Sequence, residues 1–191
     1  MEETAETPPK KESWIDFLKF ALIAAAIVLP IRLYIAQPFI VSGASMVPTF
    51  ENGNYLIVDE ISYRFEEPKR GDVVIFRFPG EPKKFLIKRI AGLPNETVEL
   101  ENGAVRIKNE AHPDGFLWQQ DARAPQSRPA LQSITLKRDE YFVLGDNRDE
   151  SADSRLWGPL KRTYIIGKPL IRLFPVTELK LFPGTWPTAA E

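Results

Sequence analysis

One apolar segment near the N-terminus constrains this chain more than any other feature of its 191 residues. Residues 17–41 read FLKFALIAAAIVLPIRLYIAQPFIV, and residues 20–31 within them carry no charge. A buried amphipathic helix is one interpretation, but such a helix needs a polar face, which this stretch does not have. The uncharged part is short for the roughly 20 residues of a bilayer span, so Lys19 and Arg32 must extend toward the headgroups. We predict a transmembrane anchor over residues 15–37.

The residues around this segment predict its orientation. A cleaved secretory signal would have a basic start and a small-x-small cleavage site. Here the acidic residues Glu2, Glu3, Glu6, Glu12 and Asp16 lie before or at the start of the segment, and no such site follows. The basic residues Lys10, Lys11 and Lys19 lie before or at the start of the segment, which by the positive-inside rule predicts a cytoplasmic N-terminus. We therefore expect a disordered cytoplasmic tail over residues 1–14 and an extracytoplasmic domain over residues 38–191.

Beyond the segment, the pattern changes to short apolar runs separated by turn residues. The runs are rich in β-branched and aromatic side chains, as strands are. Asn102-Gly103, between two of them, is the strongest hairpin signal in the chain. No stretch after residue 45 keeps a helical period, so we predict a mainly β domain. The runs lie at residues 55–58, 73–76, 85–87, 97–100, 104–107, 141–144 and 164–166.

Composition limits the chemistry that this domain can perform. The chain has no cysteine and a single histidine, His112. Disulfides, thiol nucleophiles and cysteine-based zinc sites are therefore excluded, and we expect no metal and no cofactor. His112 lies in an Ala-His-Pro-Asp-Gly run typical of an exposed turn. The 25 basic and 26 acidic side chains nearly balance, so we expect no nucleic-acid partner.

Two polar positions near apolar runs could carry catalysis without imidazole. Ser45 follows the small residues Gly43 and Ala44, which leave backbone amides open to a ligand, although most such turns are only loops. Lys88 lies in an apolar strand, where alternation places it on the face of Leu86 and Ile90. A buried amine has a lowered pKa and can act as a base. The alternative is an edge-strand lysine that prevents aggregation.

A third cluster of polar residues directly follows the apolar run at residues 141–144. Residues 145–155 read GDNRDESADSR, in which acidic and basic side chains lie close together. A solvated loop would explain them. A hydrogen-bonded scaffold that holds one geometry would explain them as well.

Taken in order, these clusters resemble the bacterial type I signal peptidases, which are membrane-anchored Ser/Lys endopeptidases that remove signal peptides from exported proteins. The resemblance extends over about residues 14–175 and implies a signal-peptidase-like antiparallel β-fold, with a small insertion around residues 95–140. It rests on Ser45-Met46-x-Pro48-Thr49, Tyr55-Leu56-Ile57-Val58, Arg70-Gly71-Asp72-Val73-Val74-x-Phe76, Lys88-Arg89-x-x-Gly92-Leu93-Pro94 and Gly145-Asp146-Asn147-Arg148-Asp149-x-Ser151-x-Asp153-Ser154-Arg155-x-Trp157-Gly158.

The resemblance implies a role for particular residues. Ser45 would be the nucleophile and Lys88 the general base, with Ser151 orienting the amine. The backbone N–H of Ser45 would stabilise the oxyanion, whereas Gly43 stands where some family members have a second hydroxyl donor. The implied structural ion pairs involve Arg89, Asp146, Arg148, Asp153 and Arg155. The implied pockets for small substrate residues are lined by Phe39, Val41, Met46, Leu56, Ile75, Leu86 and Ile87.

The resemblance also implies partners and a location. The expected substrates are signal peptides of exported preproteins, and the expected surroundings are the bilayer of the bacterial cytoplasmic membrane, spanned once by a monomeric protein. Two alternatives remain open from the sequence. One is a specialised maturation peptidase for pilus or conjugation substrates. The other is a non-enzymatic, membrane-anchored β module that binds extracytoplasmic peptides.

Overall fold

The structure is a computed structural model that describes residues 14–30, 36–101, 104–118 and 133–185. Residues 1–35 and 36–191 form separate compact units. In the first unit, helix α1 spans Trp14–Pro30. Its sequence is apolar on all sides apart from Asp16 and Lys19, which form an ion pair with 3.6 Å between Nζ and Oδ1. The large side chains described in this helix are exposed, including Trp14 at 75% and Phe20 at 72%.

The helix is shorter than the predicted anchor over residues 15–37. It ends at Pro30, which cannot donate a backbone hydrogen bond, and strand β1 already begins at Ala36. Residues 31–35 of the prediction lie outside the described parts, and residues 36 and 37 are strand rather than anchor. In the described ranges, no helix has both the length and the apolarity needed to cross a membrane. The predicted tail over residues 1–14 lies almost wholly outside the described residues.

The second unit is mainly β, as the sequence predicts, and every strand pair described in it is antiparallel. Its strands are β1 (Ala36–Ile40), β2 (Tyr55–Asp59), β3 (Val73–Phe78), β4 (Glu81–Gly92), β5 (Thr97–Glu101), β6 (Ala104–Lys108), β7 (Phe116–Leu117), β8 (Ser133–Thr135), β9 (Glu140–Leu144), β10 (Leu160–Lys161), β11 (Ile165–Phe174) and β12 (Lys180–Leu181). A short helix, α2, spans Ser154–Trp157.

Two sheets divide these strands. The larger has eight strands in the order β1-β2-β11-β3-β4-β9-β10, with β12 paired to β11. The smaller has four strands in the order β7-β6-β5-β8 and occupies the region of the predicted insertion. Strands β5 and β6 form the hairpin that Asn102-Gly103 predicts, with Glu101 paired to Ala104, although the two turn residues themselves lie outside the described parts.

All seven predicted apolar runs contribute to strands, with one boundary misplaced. Tyr164 belongs to a 3-10 turn over Arg162–Tyr164, and strand β11 begins only at Ile165 but extends to Phe174. Within the predicted insertion, no apolar run marks the short strand β7, and residues 119–132 lie outside the described parts. Its two residues pair with β6, so tertiary pairing creates a strand that has too few residues to show a period.

Strand β4 is the element that brings the three polar clusters together. It pairs with β3 on one side, where Val74 lies opposite Lys88, and with β9 on the other, where Leu144 lies opposite Arg89. Because β9 ends at Leu144, the third cluster begins beside Lys88. The alternation predicted for β4 is observed, since Leu86 and Ile90 pack in one core cluster and Ile87 in another.

Candidate active site

The serine loop, defined here as residues 41–54, connects β1 to β2 and carries Ser45. Its ends are joined by a hydrogen bond from Val41 N to Asn54 O of 2.9 Å. Within it, Phe50 N donates to Met46 O over 2.9 Å, and both of these side chains are buried at 1% exposure or less. Because the residues that directly follow Ser45 and Thr49 are both buried, the loop is fixed to the core. Ser45 itself is half-buried, so its hydroxyl is accessible at the edge of a rigid turn.

Lys88 meets Ser45 directly. Its side chain is buried at 3% exposure, and its Nζ lies 2.6 Å from Ser45 Oγ. Nζ also donates a hydrogen bond of 2.9 Å to Ile87 O. Burial lowers the pKa of Lys88 from 10.5 to about 8, helped by the positive charge of Lys84 and opposed by Asp153 and Asp146. With that pKa, about one amine in ten is neutral at pH 7, against fewer than one in a thousand for an exposed lysine.

The backbone N–H of Ser45 is an open donor. Among the described residues, no acceptor is hydrogen-bonded to the N–H of Ser45, which leaves it available to a developing oxyanion. The Ser45 carbonyl, in contrast, accepts a hydrogen bond of 3.0 Å from Asn147 N. Gly43, the position without a second hydroxyl, donates its own N–H to Asn52 Oδ1 over 2.9 Å. The amide of Gly43 is therefore engaged within the serine loop.

Gly145 is the contact point between the serine loop and the third cluster. A Cβ at this position would lie 2.5 Å from Ser45 O and would collide with Ser151 Oγ. Only glycine therefore allows the two serines to approach this point of the chain. Ser151 is 1% exposed, and its Oγ is buried without a hydrogen-bond partner among the described residues. No hydrogen bond joins Ser151 Oγ to Lys88 Nζ, in contrast to the predicted orienting contact.

A bidentate ion pair between Arg89 and Asp146 contacts the serine loop through Thr49. Arg89 Nε and Nη2 donate to the two oxygens of Asp146 over 2.8 and 2.6 Å, and the two side chains are only 2% and 8% exposed. Thr49 Oγ1 donates to Asp146 Oδ2 over 2.5 Å. The pair thus holds a residue of the loop that carries Ser45.

A second ion pair fixes the third cluster. Asp153 accepts from Arg155 Nε over 2.8 Å and from the backbone N–H of Gly145 over 3.0 Å, and it caps helix α2. Arg155 Nη2 donates to Arg148 O over 2.7 Å, and Arg148 Nε donates to Gly145 O over 3.1 Å. The negative charges of Asp146 and Asp153 raise the pKa of Lys88, but burial of the amine has the larger effect, so the pKa is lowered.

The predicted pocket residues divide into two groups. Val41, Met46, Leu56 and Ile75 are buried at 5% exposure or less in a single core cluster. Phe39 and Ile87 pack on the same cluster and are partly exposed, whereas Leu86 packs on a different one. The structure therefore brings six of the seven residues together in one cluster, which includes residues of the serine loop, and separates Leu86 from them.

His112 lies where the sequence predicts, in an exposed turn. Its N–H donates to Asn109 Oδ1 over 2.8 Å, and its ring packs against Phe116 at 5.1 Å between centroids. It belongs to the region of the smaller sheet and makes no contact with Ser45 or Lys88. Within the described ranges, no group of three or more His, Asp or Glu side chains is arranged to hold a metal ion.

Three contributors to the site have no role in the sequence-based prediction. Thr49 and Gly145 stand inside the motifs that carry the resemblance, so their positions were a usable signal. Gly184 lies beyond the residues that carry the resemblance, and its carbonyl accepts a hydrogen bond of 2.7 Å from Arg89 Nη1. No local pattern could predict this contact between residues 95 positions apart.

The family of this chain follows from comparison with known proteins. A family model described as signal peptidase, peptidase S26, matches residues 14–174. Signal peptidase I of Leptolyngbya laminosa is 35% identical over 188 residues, covering 93% of this chain and 88% of that protein. A probable signal peptidase I-1 of Synechocystis sp. is 34% identical over 164 residues, covering 82% of this chain and 81% of that protein. A crystal structure of a signal peptidase I from Enterococcus faecalis is 30% identical and covers 54% of this chain and 97% of its own, with a TM-score of 0.43.

Proposed function

Since the chain belongs to the signal peptidase family, peptidase S26, and is a serine peptidase that cleaves signal peptides, we propose that it uses Ser45 as nucleophile and Lys88 as general base. The observation that carries this proposal is the 2.6 Å separation of Lys88 Nζ and Ser45 Oγ at a buried amine. Neither a specialised maturation peptidase nor a non-enzymatic peptide-binding module is favoured by the family match.

The reaction follows from this pair. The neutral amine of Lys88 takes the proton of the Ser45 hydroxyl while Oγ attacks the scissile carbonyl. The free N–H of Ser45 donates to the oxyanion of the tetrahedral intermediate, an interaction typically worth about 3 to 4 kcal/mol. The Lys88 ammonium then protonates the leaving amine, which yields an acyl-enzyme on Ser45. Lys88 next removes a proton from water, whose attack releases the signal peptide and restores the hydroxyl.

Ser151 is the proposed orienting residue for the amine. Its buried Oγ has no partner in the described structure and lies against Gly145, next to the carbonyl of Ser45. A buried hydroxyl without a partner is costly, so a small rotation of Lys88 on substrate binding would give it an acceptor or donor. The side chain of Ser151 is packed inside the protein, since the residue is 1% exposed.

The substrate is proposed to bind in an extended conformation next to β1. This strand stands at one end of the larger sheet, so one side of its backbone is open to an added strand. Phe39 and Ile87 present partly exposed apolar surface above the buried Val41, Met46, Leu56 and Ile75. We propose that small side chains before the scissile bond contact this apolar surface.

We further propose that the N-terminal segment anchors the protein in the bacterial cytoplasmic membrane, with residues 1–14 in the cytoplasm and the catalytic unit, a monomer, outside. The exposed apolar side chains of α1 and the lysines that precede it support this orientation. The catalytic unit also exposes apolar side chains that suit a lipid surface. They lie on β11, β12 and their connection, at Phe174, Val176, Leu179, Leu181 and Phe182.

Substitution of the reacting residues tests the mechanism. We expect Ser45→Ala and Lys88→Ala each to abolish cleavage of a preprotein in detergent, because either change removes a group that forms or breaks a bond. Ser151→Ala should lower kcat while leaving thermal stability unchanged or higher, since it removes an unpaired buried hydroxyl. His112→Ala is the matched control and should keep full activity. Cleavage at the wild-type rate by the Lys88→Ala protein would exclude this lysine as the base.

A further inference from the structure

The C-terminal clasp, defined here as residues 182–185, returns from the edge of the larger sheet to the core beneath the serine loop. It begins with a hydrogen bond from Phe182 N to Leu170 O of 2.7 Å and turns tightly, with Thr185 Oγ1 donating to Phe182 O over 3.2 Å. Pro183 is buried. Gly184 adopts φ of 85°, a conformation that side-chain-bearing residues rarely take.

The clasp supplies an acceptor to the buried guanidinium that holds the serine loop. Arg89 Nη1 donates to Gly184 O over 2.7 Å and to Gly71 O over 2.8 Å. The remaining donors of Arg89 point to Asp146 and Thr49. All five N–H groups of the guanidinium therefore have acceptors, and the clasp provides one of them.

The clasp also touches the serine loop by packing. A Cβ on Gly184 would lie 2.9 Å from Phe50 Cε2 and 2.9 Å from Val73 Cγ2, so the glycine backbone rests directly on both side chains. Phe50 is fully buried and follows Thr49 in the chain. The C-terminal clasp thus packs against Phe50 of the serine loop. It also accepts a hydrogen bond from Arg89, which donates to Thr49 of the same loop.

We propose that the C-terminal clasp is a positioning element for catalysis, which holds the serine loop so that Ser45 Oγ stays within reach of Lys88. This inference rests on the proposed roles of Ser45 and Lys88. Without Gly184 O, the buried guanidinium would lose a hydrogen bond of 2.7 Å, and the side chain would shift to restore it. Asp146 and Thr49 would move with the Arg89 side chain. A small displacement of reacting groups lowers the rate of a reaction strongly.

Gly184→Ala tests the clasp without shortening the chain. The new Cβ meets two buried side chains, so the segment must move off the core. We expect kcat for a soluble signal-peptide substrate to fall by about tenfold or more, because the reacting groups are misplaced. We expect a smaller change in KM, because strand β1, beside which the substrate is proposed to bind, is not part of the serine loop. Gly115→Ala is the matched control. Gly115 has a similar φ of 79°, and a Cβ there would also have contacts of 2.9 Å, but to Arg106 and Lys108 in the smaller sheet. The kcat of this variant should therefore stay near the wild-type value.

Two truncations complete the experiment. A chain ending at residue 185 keeps the clasp and should retain wild-type kcat, whereas one ending at residue 181 should match Gly184→Ala. Equal kcat for Gly184→Ala and Gly115→Ala, or for the two truncations, would overturn the proposal. If Gly184→Ala and the chain ending at residue 181 both fail to fold, as judged by thermal unfolding and circular dichroism, the clasp is a folding determinant and the proposal is also overturned. An active Ser45→Ala protein would instead contradict the underlying mechanism.

Discussion

Lys88 shows how one buried residue sets the chemistry of this site. A lysine in water is protonated at neutral pH and has no lone pair to accept a proton. Burial in β4 lowers its pKa to about 8, although Asp146 and Asp153 raise it in part. Those two aspartates form ion pairs with Arg89 and Arg155, and the effect of burial on the amine outweighs the effect of their charges.

This argument predicts the acid side of the pH–rate profile. Because only the neutral amine can take the Ser45 proton, kcat/KM should rise with pH through a midpoint of about 8. The positive charge of Lys84 lowers the pKa of Lys88, so Lys84→Gln should move the midpoint to higher pH. Lys83→Gln is the control, since Lys83 is not among the charges that shift this pKa. Profiles measured with a soluble substrate decide the question, and identical shifts for both variants would contradict the assigned cause.

Among single residues, the sequence predicted types and positions better than contacts. Lys88 could be assigned to an apolar strand face from alternation alone, and His112 to an exposed turn from its neighbours. The 2.6 Å contact with Ser45 joins residues 43 positions apart and depends on strand register, which no local pattern contains. The resemblance to a family supplied that pairing. It did not supply the engagement of Gly43 N–H by Asn52 or the absence of a hydrogen bond at Ser151 Oγ.

At the scale of elements, the junction of β4 and β9 determines the shape of the site. Antiparallel pairing of Arg89 with Leu144 places the residue after β9 beside Lys88. That residue is Gly145, and its missing side chain leaves the space into which Ser151 and the carbonyl of Ser45 project. The period-two pattern predicts which segments are strands, but the start of β11 at Ile165 depends on strand pairing, which the pattern does not contain.

Gly145→Ala tests this junction. A Cβ 2.5 Å from Ser45 O must displace the serine loop, so we expect kcat/KM to fall by about a hundredfold in a protein that remains folded. Gly80→Ala is the control in the same sheet, because its Cβ would meet only the partly exposed ring of Phe78, which can move. Activity near the wild-type value in Gly145→Ala, with both variants folded by thermal unfolding, would show that the loop tolerates the shift.

At the scale of the whole molecule, the catalytic apparatus lies entirely within one of the two compact units. Residues 36–191 contain β1, the serine loop, Lys88 and the third cluster, and each core cluster described is formed by residues of this unit. The N-terminal unit contributes apolar surface rather than chemistry. Its proposed effect is therefore on how often enzyme and substrate meet at a membrane, since confinement to one surface raises the effective concentration of both.

A chain that begins at residue 36 separates these two contributions. We expect it to cleave a soluble signal-peptide substrate in detergent with kcat/KM close to that of the full chain, because every residue of the site is retained. With a preprotein inserted in lipid vesicles, its rate should fall by about tenfold or more relative to the full chain, since the shared anchoring is lost. The full chain with Ser45→Ala provides the background in both assays. Equal rates on vesicles for the two active chains would contradict the anchor, while loss of cleavage in detergent would place part of the active unit before residue 36.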